Sequence, residues 1–219
     1  MALPLSEKKA LVQAGRDLYR RGMLAGTDGN LSMRLADGTL LVTPSGLPKG
    51  RLEEDDLVLV DAEGHHIDGH RKASSELPMH LFVYDKRPEI RACVHSHAPH
   101  ATAFAVAGVS LPADVLPEVA LFIGEIPLTD YAPPGTDAVP FSLEPLIGRH
   151  EAFLLKNHGL LTIGATLEET MNRHETIEHY AHILLHARSL GKVDSIPPED
   201  HARLEKLRLD AAGKNHRSR

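Results

Sequence analysis

The segment Ile90-Arg91-Ala92-Cys93-Val94 is a short, mostly apolar run, and it leads without a break into His95-Ser96-His97. A run of this length reads as a buried strand. Alternate residues of a strand face one side, so two imidazoles leave its end in the same direction. Any fold open to this chain must bring that strand end to a space where two nitrogen donors are accommodated.

Two such imidazoles can reach one metal ion, with a third ligand coming from elsewhere. His158 is the best candidate. It stands in the turn Lys156-Asn157-His158-Gly159, just past the strand-like Ala152–Leu155. Three neutral imidazoles leave a tetrahedral zinc ion one open position, the mark of a catalytic rather than a structural site. Taken alone, a His-x-His pair is as often two ordinary loop residues, so the other segments must decide.

Glu76 lies in Ala73-Ser74-Ser75-Glu76, at the start of a helical segment with Pro78 near its first turn. Ser74 or Ser75 can cap that helix. A carboxylate there is favoured by the helix dipole, and beside a metal it is placed to act as a general base. The hydroxyls and amides of Ser74 and Ser75 offer an anion site. Gly29-Asn30 and Thr43-Pro44-Ser45-Gly46 are further turns with hydroxyls and free amides. Each alone is more often just a turn. The net charge of −6 leaves no broad basic field for nucleic acid or anionic lipid. An anionic substrate must therefore be held by local neutral donors such as these.

The rest of the chain mixes strands and helices irregularly. Ser6 can cap a first helix carrying Leu11, Ala14 and Leu18 on one face. Asp37-Gly38 reads as a hairpin turn. Segments 119–123 and 126–128 look strand-like, 141–147 a short helix, and 64–69 a loop. Thr166 and Glu169 form a capping box for the longest helix, which runs to about Leu190. Pro197-Pro198 breaks the chain before a short helix and a tail, 214–219, expected to fray. The reading is one α/β domain over 1–219, with its core at about 6–190 and a largely antiparallel sheet between helices. The single cysteine, Cys93, excludes an internal disulfide and suits a cytoplasmic setting. The first residues lack the apolar core of a signal peptide, and no apolar run reaches bilayer length.

Five segments occur in order: Gly26-Thr27-Asp28-Gly29-Asn30-Leu31-Ser32; Thr43-Pro44-Ser45-Gly46; Ser74-Ser75-Glu76 with His80; His95-Ser96-His97 with His100; and Asn157-His158-Gly159. This ordered set resembles the class II aldolase/adducin family over residues 6 to 190 or so. The resemblance implies a single domain with a central, mainly antiparallel sheet flanked by helices, commonly a fourfold tetramer with active sites at subunit interfaces. It implies that His95, His97 and His158 hold Zn2+, with Mn2+ or Co2+ as substitutes, and that Glu76 is the acid/base. It places Gly29, Asn30, Thr43, Ser45, Gly46, Ser74 and Ser75 in the segments that bind a substrate phosphate. The implied reaction is cleavage of a phosphorylated ketose, of the L-fuculose-1-phosphate kind, to dihydroxyacetone phosphate and an aldehyde. The alternatives are a decarboxylase or dehydratase on a phosphorylated sugar acid or methylthioribulose phosphate, or a non-catalytic, adducin-like binding module.

One departure stands out. Where the fuculose-phosphate enzymes carry a tyrosine contributed by a neighbouring subunit, this chain has Leu116. Where related epimerases carry an acid it has Ala120. Glu118 and Tyr131 are the candidates to replace that acid. Of the 15 histidines, His174, His179, His182 and His186 fall on the long helix, the last three on one face, and read as a polar or interface stripe rather than a second metal site. His65, His66 and His70 read as solvated. His80, one turn after Glu76, is placed either to orient it or simply to pack. His100 would line the site mouth, and Cys93 reads as a small core residue.

Overall fold

A computed structural model describes residues 5–136 and 138–217. Seven strands form one sheet: β1 (Asn30–Arg34), β2 (Leu40–Val42), β3 (Val58–Val60), β4 (His66–Asp68), β5 (Ala92–Ser96), β6 (Ala152–Leu155) and β7 (Gly159–Gly164). The spatial order is β4-β3-β2-β1-β5-β7-β6, and all neighbouring pairs are antiparallel. The helices are α1 (Leu5–Arg20), α2 (Leu77–Lys86), α3 (Pro99–Ala107), α4 (Pro117–Phe122), α5 (Ala138–Leu143), α6 (Leu167–Leu190) and α7 (Pro198–Arg217).

The strand singled out by its sequence is the fifth in this order. β5 pairs with β1 on one edge, Asn30 opposite His95, and with β7 on the other, His95 opposite Leu161. All five of its residues are buried. A strand covered on both faces needs no polar alternation, which explains the nearly continuous apolar run.

Each face of the sheet packs its own core. On one side Val94, Leu31 and Leu160 meet Leu11 and Leu18 of α1, Phe104 of α3, and Ile177 and Tyr180 of α6. On the other, Cys93, Leu161 and Ile163 meet Val83 and Tyr84 of α2 and Leu143 of α5. Alternation along β5 follows from this. Ser96 shares the side of Val94, and its hydroxyl meets His174 of α6. His95 shares the side of Cys93, toward α2, where Glu76 stands.

Several segments differ from their sequence reading. Residues 119–123 belong to α4 and its cap rather than a strand; Pro117 starts that helix and Val119 and Ala120 are buried. A short apolar run carries no period that separates the two forms. Segment 126–128 contributes only isolated bridges, Ile126 to Leu111 and Leu128 to Leu154. Residues 64–69 contain the edge strand β4, all of it exposed, so no buried face marks it. Ser6 lies inside α1 rather than capping it. Neither Ser74 nor Ser75 is the cap of α2: Glu76 holds that position, without a side-chain cap bond. The helix expected at 141–147 is α5, Ala138–Leu143. The last helix is long, not short, and its backbone takes in 214–217; 218–219 lie outside the described residues. The Thr166 cap stands, its Oγ1 accepting the Glu169 amide at 3.1 Å. Among the described residues no helix is long and apolar enough to cross a membrane.

Candidate active site

His95 and His97 leave the end of β5 on the α2 side, and His158 comes from the turn between β6 and β7. The β6–β7 pairing places that turn beside β5. Leu155 pairs with Gly159, His158 N–H donates to the Leu155 carbonyl at 2.9 Å, and Asn157 takes φ 57°. Asparagine tolerates this left-handed conformation better than most residues. Gly159 lets the rings approach. A Cβ there would lie 2.5 Å from Ser96 O, 3.0 Å from His97 Cδ2 and 3.1 Å from His95 Cε1.

The three rings converge. Their centroids are 5.3 Å apart for His95–His97, 4.7 Å for His95–His158 and 5.1 Å for His97–His158, and one nitrogen from each lies within 4.8 Å of the others. His95 Nδ1 pairs with the Leu160 carbonyl at 3.0 Å, and His97 Nδ1 with Asp28 Oδ2 at 3.2 Å. Both Nε2 atoms are then buried with no hydrogen-bond partner. Buried polar atoms are normally satisfied, so this pair of orphans, aimed at one point beside His158, is the pattern expected of ligands to an ion. Burial also pushes His95 down to about 3, against the opposing pull of Glu76, so the ring is held neutral as a ligand must be. These residues fit a divalent cation.

Glu76 sits at the rim. Its Oε1 is 3.0 Å from His158 Nε2 and its Oε2 3.4 Å from His95 Nε2. Asn30 Nδ2 donates to Oε2 at 2.7 Å. Burial alone would raise this carboxyl. The His158 hydrogen bond, the neighbouring imidazoles and the Asn30 amide outweigh that and hold it below the ordinary carboxylate value.

Backbone pairing gathers the expected anion-binding turns around this rim. Thr43 N–H donates to Leu31 O at 3.0 Å, Ser45 N–H to Lys72 O at 2.9 Å and Ser74 N–H to Thr43 O at 3.2 Å. Thr43 and Asn30 are buried, while Ser45, Gly46 and Ser75 lie at least partly open to solvent. Three of the side chains are already engaged. Thr43 Oγ1 accepts the Leu31 amide at 3.0 Å, Ser74 Oγ accepts the Glu76 amide at 3.3 Å, and Asn30 is committed to Glu76. Gly29, at φ 67°, has no room for a side chain, since a Cβ would lie 2.6 Å from His95 O. The groups left for an anion therefore include the hydroxyls of Ser45 and Ser75 and the amides of Gly29, Gly46 and Ser75. Ser75 and Glu76 also line a small recess with Gly135 and Thr136.

The remaining candidates fall elsewhere. Glu118 lines a groove of about 640 Å³ with Phe122, Glu168 and Arg173, none of them residues of the histidine site. Tyr131 is 59% exposed, in a loop whose residues Thr129 and Asp130 border His158. Leu116 is the cap of α4 and Ala120 is buried. His80 is buried and pairs with Ser32 Oγ at 2.7 Å, not with Glu76. His100 is held by Glu178 at 2.7 Å and stacks on His182. His182 and His186 meet at 2.9 Å. His174 is buried between Ser96 and Thr162, apart from that stripe. His65 is taken up by the Asp61 turn and His66 by the Gly69 carbonyl. Cys93 is buried, and burial pushes its thiol up to about 12. Asp28 and Lys49 were not singled out by sequence. Asp28 entered only as a member of the turn at 26–30, and nothing in the sequence marks Lys49 as buried.

The family described as Class II Aldolase and Adducin N-terminal domain matches residues 9–185. The chain is 35% identical to a 3-oxo-tetronate 4-phosphate decarboxylase of Haemophilus influenzae, over 81% of this chain and 86% of that protein. It is 34% identical to a 5-deoxy-D-ribulose 1-phosphate aldolase of Bacillus thuringiensis, over 91% and 94%. A solved L-fuculose 1-phosphate aldolase superposes with a TM-score of 0.86 at 30% identity, covering 93% of this chain and 96% of that one.

Proposed function

The chain belongs to the class II aldolase and adducin family, and on that premise we propose that it is a metal-dependent lyase that splits a phosphorylated ketose into dihydroxyacetone phosphate and an aldehyde. The observation that carries the reading is the convergence of His95, His97 and His158, with two orphaned nitrogens, beside the carboxylate of Glu76. A purely structural role would leave no reason for two buried imidazole nitrogens to face one point without a hydrogen-bond partner.

His95, His97 and His158 would hold the cation, zinc by the all-imidazole donor set, with manganese or cobalt as substitutes. When bound, it would supply a Lewis acid to the substrate oxygens. The outward donors of Ser45, Gly46 and Ser75 grip the phosphate and fix the reacting carbons next to Glu76. On cleavage, the substrate hydroxyl passes its proton by way of Tyr131 to solvent, and the carbon–carbon bond breaks. Its electron pair stays on the phosphorylated fragment as an enediolate. Glu76, ionised at rest, takes up a proton from solvent and delivers it to this carbon to give dihydroxyacetone phosphate, and in the reverse direction removes it. Asn30 holds Oε2 of Glu76 in place. Tyr131 is the phenol proposed to serve the aldehyde oxygen in place of the tyrosine replaced by Leu116. A homotetramer acting in the cytoplasm on a small sugar phosphate completes the proposal.

The H. influenzae relative supports a second reading. Loss of carbon dioxide from a 3-oxo-tetronate 4-phosphate leaves the same enediolate, and the same carbon must be protonated. Triose phosphate therefore appears in both reactions, and the co-product separates them. The protein, loaded with zinc, is offered phosphorylated ketoses and phosphorylated 3-oxo sugar acids, and aldehyde and carbon dioxide are both measured. Aldehyde release supports the aldolase, carbon dioxide the decarboxylase. Glu76→Gln is expected to retain metal and to lose carbon–hydrogen exchange into dihydroxyacetone phosphate by about a hundredfold or more, on the order of general acid–base effects. Exchange at the wild-type rate excludes Glu76 as the base. The non-catalytic module predicts a protein that takes up no metal.

A further inference from the structure

Lys49 is 2% exposed, and no other lysine among the described residues is buried. It follows Gly46 by three residues and opens a short 3-10 turn, Lys49–Arg51. Its backbone therefore leaves the turn that carries Ser45 and Gly46. Its side chain runs inward past Gly15 of α1, where a Cβ would lie 3.3 Å from Lys49 Cβ. It ends at the other turn, where Nζ donates to the Thr27 carbonyl at 2.7 Å. One side chain thus bridges the two turns that wall the anion site.

The charge of this side chain is not balanced. Among the described residues its one hydrogen-bond partner is a neutral carbonyl, and no carboxylate lies within ion-pair distance of it. Asp28 and Glu76 act on it only from farther off, and burial pushes it down to about 8. A buried cation without a paired anion is costly. Such a residue is retained where something else supplies the negative charge. The acidic surface of the protein, at net charge −6, makes a local cation more necessary for an anionic substrate, since neutral donors alone must then overcome a repulsive field.

We infer that Lys49 is the buried cation of the anion site: it ties the turn at 26–30 to the turn at 43–46, and its charge selects a phosphate monoester over an uncharged sugar. The inference rests on the reading of the substrate as a phosphorylated one. Lys49 is a positioning and specificity residue. It holds the amides of the two turns in register through Thr27 and lends them its field.

The test measures binding of inorganic phosphate by titration calorimetry, together with steady-state kinetics, on the metal-loaded wild type, Lys49→Gln and Lys49→Arg. Gln keeps a donor for Thr27 and removes the charge, whereas Arg keeps both. Lys49→Met, which matches the lysine stem, replaces Gln if that variant does not fold. The neutral variant is expected to bind phosphate about tenfold or more weaker and to raise KM by a similar factor. Its kcat should stay within about threefold and its metal content unchanged, with Arg restoring most of the affinity. Phosphate binding equal to wild type in a folded neutral variant overturns the role of Lys49 alone. So does an arginine variant as weak as the neutral one. A wild type that binds no phosphate overturns the phosphorylated-substrate reading, and the role of Lys49 with it.

Discussion

Asp28 Oδ2 lies 3.2 Å from His97 Nδ1, and this contact decides which nitrogen of His97 faces the other two rings. A carboxylate behind a ligating imidazole fixes its tautomer and raises its basicity. Asp28 is exposed, so its loss should leave the fold intact. Asp28→Ala is expected to weaken metal binding by roughly ten- to a hundredfold, read by competition with a chelator of known affinity. An unchanged metal affinity would remove Asp28 from the account.

Gly159 sets how closely the rings pack. The nearest obstacle to a side chain there is backbone, the Ser96 carbonyl at 2.5 Å, which cannot swing aside. Gly159→Ala is expected to cost about 1–3 kcal/mol, the usual penalty of overpacking, and to lower metal occupancy by spreading His95 and His97. Urea unfolding and metal analysis check both effects together. An alanine variant with wild-type stability and full occupancy would show that the cluster has slack.

His174 gives the fold a dependence on pH that is separate from the chemistry. It is fully buried between Ser96 Oγ at 2.6 Å and Thr162 Oγ1 at 2.9 Å, and burial pushes it down to about 3 from 6.5. The folded protein holds this ring neutral, whereas the unfolded chain takes up its proton near pH 6.5. The stability it contributes is therefore complete above that pH and is lost progressively as pH falls toward 3, by up to about 1.4 kcal/mol per pH unit for one proton. His80 and His95, pushed down to about 4 and about 3, act in the same direction. Unfolding free energies of the metal-free protein between neutral and mildly acidic pH should show the decline, with a smaller slope for His174→Gln. An equal slope would assign the acid sensitivity to other groups.

The placement of His95 and His97 was legible in the sequence because it follows from a local rule. Two histidines two apart at the end of an apolar strand must share a side, and in the structure they do. His158 was harder, since its distance from β5 depends on the β6–β7 pairing. The ordered set of motifs, more than spacing, pointed to it. Lys49 and Asp28 were not legible. A lysine between proline and glycine looks solvated, and only the packing of α1 against the turn at 49–51 buries it. The helix at 117–122 and the strand at 66–68 were misread for the opposite reason. One is apolar without a period and the other is exposed on both faces, so neither shows the burial pattern from which such elements are inferred.

The most direct test of the account is metal stoichiometry. Wild-type protein and the variants His95→Ala, His97→Ala and His158→Ala are dialysed against zinc, freed of excess, and analysed for bound metal, with circular dichroism confirming that each is folded. The account predicts one equivalent in the wild type and a large loss in each of the three variants. Full metal content in folded His95→Ala and His158→Ala would contradict it.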